Sequence, residues 1–166
     1  MLDKAYDGVY QRDESEFERL DRNLNELLQE LRVSQTGVQI LFAFLLTLPF
    51  TQRFGRVTPF ERDVYFATLL LTGMASALFI GPVSFHRLVF RQQQKRTLVF
   101  AAQWMAIGGL ACLALAILGV ILLVTHFLFG GLAATIATAS IGAIIVFLWY
   151  ALPIVRLLQA RRRHEL

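Results

Sequence analysis

Four stretches of this chain contain no Asp, Glu, Lys or Arg: residues 34–50, 64–85, 97–125 and 132–155. Each reaches or exceeds the roughly 17–25 apolar residues that a helix needs to cross about 30 Å of hydrocarbon. Water is missing from that layer, so each segment must satisfy its own backbone amides, and a helix does this. The chain is 56% hydrophobic, above the roughly 45–50% of soluble domains, so few residues remain for a soluble domain beside the spans. The third stretch is longer than a perpendicular crossing requires, and tilt accommodates the excess. The expected fold is all-α: a four-helix transmembrane bundle in residues 34–155.

Charge is distributed in a way that gives the bundle a direction. Residues 1–32 hold nine of the twelve acidic groups and five of the sixteen basic ones, so the remainder of the chain is net +8. A nucleic-acid-binding domain would explain a pI near 9.7, but here the basic residues sit in short runs between long uncharged stretches, as in membrane-flanking loops. With four spans, residues 1–33, the 86–96 linker and the 156–166 tail share one side and carry thirteen Lys and Arg. The 51–63 and 126–131 loops share the other and carry three. The positive-inside rule then places both termini of this multi-pass protein on the cytoplasmic side. His86, Arg87, Arg91, Lys95 and Arg96 in the linker, with Arg161, Arg162 and Arg163 in the tail, form the cytoplasmic basic groups. The acidic first thirty residues lack the apolar core of a cleavable signal. The single cysteine, Cys112, permits no disulfide within the chain and reads as a small buried hydrophobe.

Local signals fit these boundaries. Thr58-Pro59-Phe60-Glu61 is a capping box with proline at the first helical position, which starts the second helix just outside the bilayer. Pro49, Pro82 and Pro153 fall in the last turns of their spans, where they end or bend a helix. Phe54, Phe60, Tyr65, Trp149 and Tyr150 lie near span ends, where aromatic rings favour the interface.

The first span extends backwards into water. Ser15-Glu16-Phe17-Glu18 is a second capping box, and residues 1–14 ahead of it are expected to be irregular or disordered. Phe17, Leu20, Leu24, Leu27 and Leu31 then recur at 3-4-3-4 spacing, an a/d seam over two heptads. The same register runs on through Ser34, Val38, Leu41, Leu45 and Leu48 with no proline in between. A cytoplasmic amphipathic helix over 15–33 is thus expected to be continuous with the first span, as one helix about 50 Å long. Its acid-rich polar face disfavours flat binding to anionic lipid and favours self-association or docking on the basic linker and tail.

Within the spans, Gln35, Gln39, Ala43 and Thr47 recur every four residues, and Gln103 lies early in the third span. They read as polar glue between helices, or as a polar face lining a pore. Small residues repeat at the same interval: Gly73, Ala77 and Gly81; Gly108, Cys112 and Ala116; Gly131, Thr135, Ala139 and Ala143. Such stripes let helix backbones approach closely. His86 and His126 lie at span ends without a second ligand at metal spacing, no phosphate-binding glycine loop is present, and no catalytic set is visible. No cofactor, metal site or enzymatic activity is expected.

The segments LLQELRVSQTGVQILFAFLLTLPF (Leu27–Phe50), GPVSFHRLVFRQQQK (Gly81–Lys95) and WYALPIVR (Trp149–Arg156) resemble a family of uncharacterised bacterial four-helix integral membrane proteins, a domain of unknown function. Some members of it carry an automatic sodium:proton antiporter label. The resemblance implies a four-helix membrane protein and supplies no functional residues. Ion-coupled transport needs an ionisable group in the membrane, and these spans have none, which disfavours that label. The expected function is a non-enzymatic membrane module that lies in the lipid bilayer and assembles with itself or with a membrane protein partner. A small channel or ion/solute transporter is the alternative, and nucleic acid is not an expected partner.

Overall fold

The computed structural model describes residues 16–89, 95–156 and 159, with side-chain surroundings for 22, 26–84, 100–156 and 159. The chain order is α1 (Glu16–Thr47), two short 3₁₀ turns (Leu48–Phe50 and Gln52–Arg56), α2 (Pro59–Val89), α3 (Lys95–Phe129) and α4 (Gly131–Val146). A π-helical turn at Phe147–Ala151 follows. Four helices are long and apolar enough to cross a membrane, the make-up of a multi-pass membrane protein, and the described residues contain no strand. Helix α1 is continuous across the position where charged sequence gives way to apolar sequence, about 48 Å in all. The Ser15 cap and residues 1–14 lie outside the described residues, as does the division of polar and apolar side chains over 16–21 and 23–25.

Helices α1, α2 and α3 pack against one another, while α4 touches α3 and no other described helix. Most buried positions of the first three share one period; Ala114 of α3 is buried outside it. In α1 they are Leu31, Val38 and Leu45, with Leu27, Leu41 and Leu48 packed beside them, which is the seam read from the sequence. In α2 they run Glu61, Tyr65, Thr68, Thr72, Ala75, Phe79 and Pro82, a 4-3-4-3-4-3 spacing. In α3, Ala102, Gly109, Ala116 and Leu123 recur every seven residues. A 3.5-residue period keeps one stripe facing its neighbours when helices coil left-handedly.

The α2–α3 pair interlocks at glycines. A Cβ at Gly109 would run into the Phe79 ring, and one at Gly119 into the Thr68 hydroxyl. In the other direction, Met105 Sδ lies 2.9 Å from where a Cβ would stand on Gly81. Threonines line the same seam without leaving hydroxyls bare. Thr68 donates to the Val64 carbonyl at 2.6 Å and Thr72 to the Thr68 carbonyl at 2.7 Å.

Three expectations about boundaries are corrected. Pro82 does not end α2: it is buried inside a helix that continues to Val89. The 86–96 linker is helical in part, since α2 runs to Val89 and α3 begins at Lys95; residues 90–94 lie outside the described residues. The 126–131 turn shrinks to Gly130, whose φ of +88° suits glycine alone among common residues and whose N–H donates to the His126 carbonyl at 3.0 Å. Pro153 acts from inside the helix as well. Lacking an N–H for the Trp149 carbonyl, it follows a widened turn in which the Leu152 N–H reaches back five residues to Phe147.

Candidate functional site

Polar chemistry collects at the loop end of the bundle, where α1 stops, α2 starts and α3 finishes. Helix α1 stops because Pro49 has no N–H to offer the Leu45 carbonyl. The Tyr65 hydroxyl takes that role, donating to Leu45 O at 3.0 Å. The ring expected at the interface is therefore buried, with Phe54 from the connecting loop set edge-on to it at 5.1 Å.

One turn earlier in α2 stands Glu61, 4% exposed. The expected capping box forms: Thr58 N–H donates to Glu61 Oε2 at 2.7 Å, the Thr58 hydroxyl donates to the same oxygen at 3.0 Å, and Glu61 N–H returns to Thr58 Oγ1 at 3.3 Å. The second carboxylate oxygen is also occupied. His126 Nδ1, from the last turn of α3, lies 2.9 Å from Glu61 Oε1. The Phe60 ring leans against the imidazole at 5.2 Å between centroids. The Glu61 carboxylate stands at a helix N-terminus, where the macrodipole favours negative charge. Three donors thus converge on one buried carboxylate and clasp α2 to α3. The pair can hold or exchange a proton. Among the described residues no group of three His, Cys, Asp or Glu side chains is arranged to hold a metal.

The polar residues of the first span do not converge. Gln35 is half-buried, and its Nε2 donates to Ser76 Oγ on α2 at 3.0 Å, an interhelical bond of the glue type. Gln39, Thr47 and Gln103 are exposed, and the Thr47 hydroxyl donates to its own helix at the Phe44 carbonyl. Gln35 thus turns to α2, while Gln39 and Thr47 are exposed. Four-residue steps advance about 40° each around a helix, so Gln35 to Thr47 sweeps roughly 120°. The same drift divides the small residues. Gly73 and Gly81 lie close to Phe42 and Met105, whereas Ala77 between them is exposed. Gly108 approaches Leu78, Cys112 packs on the cluster of Leu31, Val38, Ala75 and Phe79, and Ala116 is fully buried. On α4, Thr135, Ala139 and Ala143 are exposed, whereas a Cβ on Gly131 would stand 3.9 Å from the His126 ring of α3, and the buried or half-buried Ala134, Thr138 and Ile145 face that helix. His86 and Arg87 lie in the last turn of α2, and Lys95 and Arg96 open α3; their side chains, with Arg91, Arg161, Arg162 and Arg163, lie outside the described residues.

The Glu61–His126 contact was not read from the sequence, because 65 residues separate its partners. The available signal was topological. In an up-down-up chain, the start of α2 and the end of α3 meet at one end of the bundle, and each carries an ionisable residue there.

A family model matches residues 13–153, from just ahead of α1 to Pro153. The chain belongs to DUF6328, a family of unknown function. The match takes in all four helices of this DUF6328 chain, and with them Gln35, Glu61, Tyr65 and His126, while the Arg161–Arg163 tail lies beyond it. No curated protein and no solved structure matches the chain.

Proposed function

We propose that this protein is a non-enzymatic module of the bacterial plasma membrane that assembles with further copies of itself. The observation that carries this reading is the placement of α4. It packs on α3 alone and leaves Thr135, Ala139 and Ala143 exposed. Small residues at such a surface admit a second backbone at close range, where van der Waals contact drives association in lipid. Helix α1 adds to it: Gln39, midway along the first span, is exposed and has no hydrogen-bond partner among the described residues. An amide facing hydrocarbon gains about 0.6–2 kcal/mol by bonding to a neighbouring helix. In a Cys112→Ser background, Ala139→Cys is expected to form oxidant-induced dimers in native membranes, and Ile144→Cys, on another exposed face of α4, is not. Equal yields from both positions would remove the reading.

The proposed orientation puts both termini in the cytoplasm, on the weight of thirteen basic residues against three. Thiol probes at Gly8→Cys or His164→Cys should be shielded from impermeant reagent in sealed cells. Labelling from outside would reverse the topology.

The alternative, a small channel or sodium:proton antiporter, gains one supporting observation, the buried Glu61–His126 pair, since an ionisable group held in a helix bundle is what proton coupling uses. The divergence of Gln35, Gln39 and Gln103 speaks against a lined path. That alternative requires gradient-driven flux in liposomes that Glu61→Gln abolishes.

A further inference from the structure

Beside the Glu61–His126 clasp, the loop end of the bundle holds a groove of about 310 Å³, at the lower end of the range of small-molecule sites. Its walls are Leu48 at the end of the first span, Val57 just ahead of α2, and Leu123, Val124 and Phe127 in the last turns of α3. The floor is firm. Leu123 belongs to the buried cluster with Leu45 and Tyr65, and Leu48 packs against that cluster. Thr51, also in the lining, turns its hydroxyl to the Leu48 carbonyl at 2.7 Å and so contributes little free polar surface. Arg53 is the single charged side chain in the lining. It is exposed, and no described carboxylate lies within ion-pair distance of it.

A hydrocarbon slot with one unpaired guanidinium at the end of a span has the chemistry of an amphiphile site. Arginine matches a phosphate by two parallel N–H donors. A zwitterionic headgroup carries the same phosphate but offsets its charge with a quaternary ammonium, so it neutralises the guanidinium less well. We propose that this groove holds an acyl chain of an anionic phospholipid whose phosphate is paired by Arg53. The acyl chain covers Leu48, Val124 and Phe127, and the headgroup supplies the counter-charge that no described carboxylate does.

Native mass spectrometry of the full chain, taken from mixed phosphatidylglycerol and phosphatidylcholine micelles, tests this. Retained phosphatidylglycerol should exceed retained phosphatidylcholine by about tenfold, the scale of one charge-assisted hydrogen bond. Arg53→Gln should bring the two lipids level. Arg56→Gln, an exposed arginine of the same loop outside the lining, should leave the preference intact. Val124→Trp, which fills the groove, should reduce retention of both. Equal retention by the unmodified protein, or an equal loss from Arg56→Gln, would overturn the proposal. A Val124→Trp variant that keeps its lipid but changes its oligomeric state would assign the groove to a second copy instead, and would overturn it too.

Discussion

The hydroxyl of Tyr65 compensates for a defect that Pro49 creates four residues beyond Leu45. Removing a single oxygen by Tyr65→Phe keeps the packing against Phe54 and leaves the Leu45 carbonyl bare in a buried place. Thermal or denaturant unfolding in detergent should register a loss of about 1–3 kcal/mol. In a Pro49→Ala background, where residue 49 regains an N–H, the same substitution should cost less, and an unchanged cost would separate the two residues. The Glu61–His126 contact is a second case in which one residue's worth depends on another. Glu61→Ala removes the acceptor of the Thr58 and His126 donors, which are themselves partly exposed, and should destabilise by about 1–3 kcal/mol. A double-mutant cycle with His126→Ala should return a coupling of at least about 1 kcal/mol; additive losses would mean the two side chains act apart. Of these residue-level features, the Thr58–Glu61 box was legible because its partners are three apart in sequence. The sequence puts Tyr65 at the interface and His126 simply at a span end, since the identity of a ring at a span end does not reveal which way it faces.

At the scale of elements, the helices are held by a 3.5-residue period, and this explains which sequence stripes were informative. The α1 seam from Leu27 to Leu48 was counted at 3-4 spacing and coincides with the buried face. The glycine and glutamine stripes were counted at four-residue spacing, which leaves a straight face after about two steps. So Gly109 and Gly119, the glycines of α3 in tightest contact, were passed over in favour of Gly108, which touches only the end of Leu78. Alanine substitutions separate the two kinds of glycine. Gly109→Ala and Gly119→Ala should each cost about 1–3 kcal/mol by overpacking against Phe79 and Thr68. Gly37→Ala, with nothing within 4 Å in a continuous helix, should instead stabilise by about 0.5–1 kcal/mol. Equal effects at all three sites, measured as unfolding free energies, would contradict the interlocked α2–α3 pair. The helix ends were less legible than their middles. Hydropathy marks where apolar sequence stops, whereas α2 and α3 continue as helices past that point toward residues 90–94.

For the whole molecule, the number of crossings followed from the four uncharged stretches, because hydrocarbon leaves a chain of this composition few other forms. The arrangement of the four did not follow. A symmetric bundle and a three-helix core flanked by α4 have the same hydropathy profile. Only the packing distinguishes them, with α1, α2 and α3 sharing seams and α4 resting on α3. That asymmetry leaves the outward stripe of α4 in search of a neighbour, and the assembly proposed here depends on it. The most direct measurement is energy transfer between donor- and acceptor-labelled copies in liposomes at high lipid dilution. The account predicts transfer well above the random-proximity level, falling to that level in the Ala139→Leu/Ala143→Leu variant, whose bulk blocks close approach while leaving the α3 contact of Ala134 and Ile145 intact. Transfer at the random level for the unmodified chain, or transfer that the double variant leaves unchanged, would contradict it.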